Sequence, residues 1–125
     1  MYVAIVSPDR SHARRLGDDI LDACLSSGCY STFLDYAADD DFLNELRERE
    51  FGTVVIAVNG ENEWRVARAV ASSQPQAKLI LLGSDEAAVK GYTLNADYCL
   101  SAEPKEEELK QIVQIIFPVG KDEVL

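Results

Sequence analysis

The sequence has few of the residues that build disulfide frameworks and metal centres. It contains three cysteines, Cys24, Cys29 and Cys99, and one histidine, His12, and no two cysteines form a CxxC pair. An odd number of cysteines without His-rich spacing favours neither a disulfide framework nor a zinc site. We therefore predict that the cysteines are small buried apolar residues, and we predict no metal ion and no cofactor.

Positive charge is also scarce. Lysine and arginine number 12 and the acidic residues 22, which gives a formal net charge of −10. This charge opposes direct binding to nucleic acid and to anionic membrane surfaces. The chain also lacks a run of about 18 apolar residues and a charged leader with a cleavage site. We expect a cytoplasmic protein that neither spans a membrane nor contacts nucleic acid directly.

The most informative stretch that is present is the apolar run from Thr53 to Val58, which is closed by Asn59 and Gly60. Its β-branched residues are typical of a strand that is covered on both faces. In an open α/β sheet, ligands bind in the crevice beyond the carboxyl ends of such strands. This strand delivers Ala57, Val58 and Asn59 to that crevice, and none of the three is a nucleophile, an acid or a base.

Strand patterns alternate strictly with helix patterns along the chain. The strands are predicted at 2–6, 29–34, 53–58, 78–82 and 97–100, and the helices at 11–25, from 42, at 61–73, at 86–94 and from 104 to 117. Such alternation predicts an α/β fold, a flavodoxin-like (βα)5 domain over residues 1–118. We expect its five parallel strands in the order 2-1-3-4-5 with helices on both faces. Residues 119–125 are predicted to be a linker or tail that leads to a C-terminal effector domain.

One segment carries a family resemblance. The stretch from Ala87 to Tyr98, AAVKGYTLNADY, together with the opening Val3-Ala4-Ile5-Val6, resembles receiver domains of bacterial two-component response regulators, in particular those that precede LytTR-type DNA-binding domains. The resemblance extends over residues 2–117. It implies an acidic pocket that holds magnesium, an aspartate that accepts a phosphoryl group, and a Thr or Ser and a Lys that respond to it.

The acidic positions of that family are not matched. The acid pair after the first strand aligns with Ser7 and Pro8, which leaves Asp9 as the only nearby carboxylate, and the phosphoacceptor aligns with Ala57. Magnesium binding requires oxygen ligands, and phosphoryl transfer to a protein requires a nucleophilic side chain. The resemblance therefore predicts a pseudo-receiver that is not phosphorylated on aspartate.

The two remaining positions of the family also differ. The Thr or Ser after the fourth strand is matched by Gly83, or by Ser84 if the loop is shifted by one residue. The Lys-Pro pair after the fifth strand is matched by Ser101 and Ala102, and a shift of one residue places Ala102 at the lysine. Neither alignment supplies a cation.

The other polar residues near the crevice have structural explanations. Ser7, followed by proline, is predicted to cap the first helix, and His12 is predicted to be a solvated surface histidine. Glu61 and Glu63 are expected in the first turn of the third helix, where the helix dipole stabilises negative charge, and the same explanation suffices for Asp9.

The leading hypothesis is a regulatory domain that acts through protein–protein contact or dimerisation, and that controls a DNA-binding effector. Its expected face is formed by the fourth helix, fifth strand and fifth helix, and includes Ala88, Tyr92 and Tyr98. The alternative is a small-molecule-binding regulatory domain that uses the crevice, although the chain has no GxGxxG motif. An enzyme is the third hypothesis, and we predict that the chain is not one, because no nucleophile, base and oxyanion site can be assembled.

Overall fold

The computed structural model describes residues 2–28, 31–94 and 96–117, without the side chains of Asp85 and Tyr92. Five strands alternate with five helices. The strands are β1 (Tyr2–Ser7), β2 (Thr32–Ala37), β3 (Thr53–Ala57), β4 (Lys78–Leu82) and β5 (Tyr98–Leu100). The helices are α1 (Arg10–Ser26), α2 (Asp40–Glu48), α3 (Glu61–Ser73), α4 (Asp85–Thr93) and α5 (Glu106–Ile116).

All strand pairs are parallel and the sheet order is β2-β1-β3-β4-β5. The predicted flavodoxin-like fold is therefore confirmed. The order of the strands reverses between β1 and β3, where Val6 lies beside Ile56, so the crevice opens beyond these two strands. No helix in the described ranges is long and apolar enough to cross a bilayer.

Alternate residues of the three central strands face opposite layers of helices. Val3, Ile5, Val55, Ile80 and Leu82 pack with buried residues of α1 and α5. Ala4, Val6, Val54, Ile56, Leu79 and Leu81 pack with α2, α3 and α4. A parallel sheet that is buried on both faces explains why these strands are continuous apolar runs without alternation.

The sequence-based prediction was wrong at β2. A strand was expected at 29–34, but β2 runs from Thr32 to Ala37, and Cys29 and Tyr30 lie outside the described residues. Asp35 and Tyr36, which were expected to break the strand, pair with Ile5 and Val6. An edge strand has only one neighbour and partly exposed side chains, so polar residues are compatible with it.

Candidate functional site

Ser7 closes β1 at the mouth of the crevice. Its backbone carbonyl accepts a hydrogen bond from the Ala38 N–H at 2.9 Å, and the whole residue is buried. Its Oγ lies 2.6 Å from Nδ1 of His12. The prediction that Ser7 caps α1 is therefore wrong, because its hydroxyl is engaged by the imidazole.

Asp9 caps α1 instead. Its backbone is extended, with φ −124°, and its carboxylate accepts a hydrogen bond from the Ser11 N–H at 2.9 Å. Pro8 precedes the cap, outside the helix. Asp9 is the single carboxylate near the positions of the family's acid pair. It is exposed, and its role in the structure is to cap the first turn of α1.

His12 lies one turn into α1 and points back towards the crevice. Its side chain is only 26% exposed, so the prediction of a solvated surface histidine is wrong. Its second ring nitrogen, Nε2, lies 3.8 Å from a carboxylate oxygen of Glu103, in the loop between β5 and α5. The imidazole thus connects the end of β1 with the loop that follows β5.

The end of β3 carries no reactive side chain. Ala57 is 7% exposed, and the next N–H, of Val58, donates to the Leu82 carbonyl at 2.8 Å. The Asn59 N–H donates at 2.9 Å to the carboxylate of Glu63, which is buried. Glu63 and Glu61 lie in the first turn of α3, as predicted. Glu63 in addition holds the loop that leads from β3 into the helix.

The end of β4 has no space for the hydroxyl that the family carries there. A Cβ on Gly83 would lie 2.8 Å from the Ala87 Cβ and 3.3 Å from the Val58 carbonyl oxygen. The alternative position, Ser84, is occupied with α4, because its hydroxyl accepts a hydrogen bond from the Ala87 N–H at 3.3 Å. Packing of α4 against the sheet therefore requires glycine at position 83.

Ser101 and Ala102 begin the loop after β5, and neither brings a positive charge. The Ser101 N–H donates to Glu108 of α5 at 3.0 Å, and the Lys105 N–H donates to the same carboxylate at 3.3 Å. The hydrogen bonds from Ser101 lower the pKa of the Glu108 carboxyl, and those bonds fix the loop to the start of α5.

Ten residues line a cavity of about 300 Å³ at this edge of the sheet. Its walls are apolar, from Pro8, Ala57, Val58, Leu82 and Ala102, and its polar groups are Ser7, Asp9, His12, Asn59 and Glu103. A second cavity, of about 370 Å³, shares Val58, Asn59 and Ala102 with it and extends to Trp64 and Lys90. Lys90 lies over the Trp64 ring, with its Nζ 5.6 Å from the ring centroid.

These residues do not fit the magnesium ion and phosphoryl group that the fold family implies. A hard dication requires several oxygen ligands, but the strand ends present Ser7 and Ala57, and Asp9 is bound to the helix terminus. No group of three or more His, Cys, Asp and Glu side chains within the described ranges is arranged to hold a metal ion. Ser7 has a base within hydrogen-bond distance, but its complete burial keeps it from attacking a substrate.

The face formed by α4, β5 and α5 contains two of the most exposed large apolar side chains in the described chain, Val89 at 71% and Tyr98 at 51%. Ala88 is half-buried, and the side chain of Tyr92 lies outside the described residues. A shallow groove beside Tyr98 is lined by Lys78, Asp97, Gln111, Gln114 and Ile115. Lys78 Nζ donates to the Ile115 carbonyl at 2.7 Å, and Asp97 accepts from the Leu79 N–H at 2.7 Å, so both are held in place.

The cysteines in the described chain belong to the interior rather than to the site. Cys24 is completely buried in the layer of α1 and α5, as predicted. Cys99 is half-buried, and burial raises the pKa of its thiol, so the thiolate form is disfavoured at neutral pH.

The Ser7–His12 contact was missed because each residue has an ordinary explanation by itself. The signal in the sequence is their arrangement: a serine that ends a strand and a histidine in the first turns of the following helix. A tight β-to-α connection returns such a helix residue to the strand end. The partner Glu103 is 91 positions further along the chain, and only the fold brings it there.

The chain matches no protein-family model and no curated protein. Among solved structures, a response regulator receiver domain from Rhodospirillum rubrum is 16% identical, with a TM-score of 0.68 and coverage of 97% of this chain and 96% of that chain. The BeF3-activated receiver domain of DrrB is 23% identical, with a TM-score of 0.63 and coverage of 92% and 95%.

Two further structures extend the comparison. DrrB, an OmpR/PhoB homologue from Thermotoga maritima, is 24% identical with a TM-score of 0.63; the match covers 90% of this chain but only 50% of DrrB, so this chain spans half of its length. A protein described as the pilus assembly protein cpaE, from Burkholderia thailandensis, is 12% identical, with a TM-score of 0.64 and coverage of 93% and 97%. At these identities the similarity establishes the fold, which is that of receiver domains.

Proposed function

We propose that the chain is a receiver-like regulatory domain in signal transduction that acts through protein–protein contact without being phosphorylated. The observation that carries this proposal is the composition of the switch-point crevice: Ser7 and Ala57 stand at the ends of β1 and β3, and the Ser7 hydroxyl is bound to His12. Without an acceptor and its metal ligands the domain requires another way to transmit a signal, and the same fold offers a surface for contact.

The proposed contact surface is the face formed by α4, β5 and α5. Val89 and Tyr98 are exposed there, and tyrosine is enriched at interfaces because it joins a large apolar body to a polar tip. The partner in this proposal is a second copy or another protein. Because its net charge is −10, the domain does not bind nucleic acid itself in this proposal. It regulates an effector, such as a DNA-binding domain beyond residues 119–125.

Phosphorylation chemistry tests the first half of the proposal. Wild-type protein and the Ala57→Asp variant are incubated with acetyl phosphate and magnesium and weighed by intact-mass spectrometry. Neither is expected to gain a phosphoryl group, because the variant still lacks the acid pair and the lysine. A stoichiometric adduct on the wild type that hydroxylamine removes would contradict the proposal. Efficient labelling of the variant alone would show that other residues supply the missing groups.

A small-molecule-binding domain is the second candidate, and the two adjoining cavities support it. The first combines apolar walls with a few polar groups, which is the usual composition of a ligand site, and the second adds the charged side chains of Glu61, Glu86 and Lys90. A thermal-shift screen separates the candidates, because a ligand that binds only the folded state raises its melting temperature. A ligand whose effect disappears when Asn59 and His12 are substituted would favour this second function.

A further inference from the structure

His12 is the only histidine of the chain, and it connects two segments that are distant in sequence. On one side its Nδ1 lies 2.6 Å from Oγ of the completely buried Ser7. On the other side its Nε2 lies 3.8 Å from Glu103, whose side chain is 83% exposed. One nitrogen of the ring therefore contacts the buried end of β1, and the other faces an exposed side chain on the surface.

The two contacts respond differently when His12 gains a proton. A serine hydroxyl can donate to Nδ1 or accept from it, so the contact with Ser7 is compatible with both charge states of the ring. The contact with Glu103 is different in kind, because a proton converts it from a contact with a neutral ring into an ion pair. Ser7 therefore holds the ring in place, and the change of charge acts on Glu103.

The charged groups around His12 come from α1, from the start of α5 and from the loops beside the crevice. Within the cavity the charged neighbours of His12 are Asp9 and Glu103, both negative, whereas β3 and β4 contribute only uncharged residues. On α1 itself, Arg14 and Arg15 follow on the exposed side. The charged residues that begin α5, which packs on α1, are Lys105, Glu106, Glu107 and Glu108, and Glu108 is bound to the Ser101 and Lys105 N–H groups.

We infer that the protonation of His12 is a pH-sensitive switch that fastens the β5–α5 loop, through Glu103, to the start of α1. At acidic pH the charged ring attracts Glu103 and holds the middle of the loop, residues 102–104, against the crevice; at alkaline pH the neutral ring releases these residues, while Ser101 and Lys105 stay bound to Glu108. The inference is independent of the function proposed above, because it concerns only the charge at His12 and the position of residues 102–104.

The size of the effect follows from the exposure of Glu103. An exposed ion pair is weak, so the ratio of fastened to released loop is expected to change about two- to fivefold between the two charge states. A change of this size is sufficient to move nuclear magnetic resonance signals measurably, and too small to unfold the domain.

The experiment is a pH titration of the 125-residue chain by NMR between about pH 5 and pH 8, where histidine changes its charge and carboxylates do not. In the wild type, the backbone signals of Ala102 and Glu103 are expected to move with the His12 ring signals and with the same midpoint. In His12→Gln the loop signals should be static. In Glu103→Gln the loop signals should no longer move with the ring signals.

A matched pair of serine variants tests the role of the anchor. Ser7→Ala should reduce the response of the loop, because the His12 ring is no longer held in place. Ser11→Ala, on the same helix as His12, should leave the response unchanged. The inference is overturned if the loop signals of the wild type do not follow His12, or if they move equally in His12→Gln. The glutamine variants decide the matter even if Ser7→Ala does not fold.

Discussion

At the scale of single residues, the buried Gln74 side chain connects the end of α3 with the C-terminal part of α2 and the residues that follow it. It is only 5% exposed and follows the last turn of α3. Its Oε1 accepts a hydrogen bond from the Phe51 N–H at 2.8 Å, and its Nε2 donates to the carbonyls of Leu46 at 3.0 Å and Arg49 at 2.8 Å. One amide thus satisfies three backbone groups, one in the last turns of α2 and two in the segment between α2 and β3.

Gln74→Ala is expected to destabilise the fold by about 2–4 kcal/mol, because it leaves buried backbone groups without partners. Gln76→Ala is the matched control: that residue is exposed, its side chain makes one hydrogen bond to Glu50 at 3.2 Å, and its loss should cost under about 0.5 kcal/mol. Urea unfolding of both variants measures the difference. Equal losses in the two would contradict the role of Gln74.

Asp35 gives a prediction of pH dependence. Burial raises the pKa of its carboxyl, the nearby Asp18 raises it further, and Arg14 and Arg10 act in the opposite direction. The folded state therefore holds this proton to a higher pH than the unfolded chain does. This contribution to stability is present at pH values below the unfolded value and decreases as the pH rises through the folded pKa.

Asp35→Asn is accordingly expected to be more stable than the wild type at neutral pH, and this advantage should shrink as the pH falls towards the ordinary range of an aspartate. Asp19→Asn, at an exposed position of α1, is the control and should show no such trend. Urea midpoints across the pH range test it. A stability difference between Asp35→Asn and wild type that stays constant with pH would contradict the desolvation argument.

At the scale of elements, the position of α4 depends on close contact with the sheet. Besides Gly83, Gly91 allows this contact, because a Cβ there would lie 2.7 Å from Leu81 Cδ1 and 2.8 Å from Cys99 Sγ. The helix has a small apolar face, with Ala87 buried. Its position therefore depends on the close approach of its backbone to the sheet more than on the burial of large side chains.

Gly83→Ala is expected to cost about 1–3 kcal/mol, because the new methyl group meets the Ala87 Cβ and the Val58 carbonyl, and neither can rotate away. Removing the Ala87 methyl group in the double variant Gly83→Ala/Ala87→Gly should recover part of this loss. A double-mutant cycle on unfolding free energies, which requires Ala87→Gly alone as the fourth corner, measures the coupling. Strict additivity of the two substitutions would show that the methyl groups at positions 83 and 87 do not interact, because α4 shifts away from the sheet.

The buried strands and the amphipathic helices were predictable; of the two edge strands, β5 was predicted to within one residue and β2 was not. The apolar runs of β3 and β4 and the stripes of α3 and α5 identified these elements because burial alone selects their residues. β2 was displaced by three residues because Asp35 and Tyr36 are half-exposed at an edge, where the apolar pattern is weak. The start of α1 was misassigned because Ser7 and Asp9 are both good capping residues, and the choice between them depends on where β1 ends.

At the scale of the whole molecule, the sequence places at the strand ends five residues that line the first cavity: Ser7, Pro8, Asp9, Ala57 and Ala102. It did not indicate that the polar residues there bind one another, since His12, Ser7 and Glu103 come from three separate segments. Contacts of this kind depend on the parallel sheet, which brings the loops after its strands to one edge. Local propensity contains no information about them.

The charge of the whole molecule leads to the last prediction, which concerns self-association. Two copies of charge −10 repel each other, so a contact through the α4–β5–α5 face must overcome that repulsion with apolar burial at Val89 and Tyr98. Added salt screens the repulsion and should therefore strengthen the association, whereas magnesium, for which the crevice offers no suitable ligand set, should add nothing beyond its ionic strength.

Sedimentation at low and moderate salt compares the wild type with Tyr98→Ala, which should weaken association about tenfold. Leu25→Ala is the control, since Leu25 is 47% exposed but lies on α1, which does not form part of this face. An equal effect of the two substitutions would place the contact elsewhere, and a wild type that stays monomeric at high concentration would leave a heterologous protein as the partner of this face. Weakening by salt would show that complementary charges, and not the apolar side chains around Tyr98, hold the two copies together.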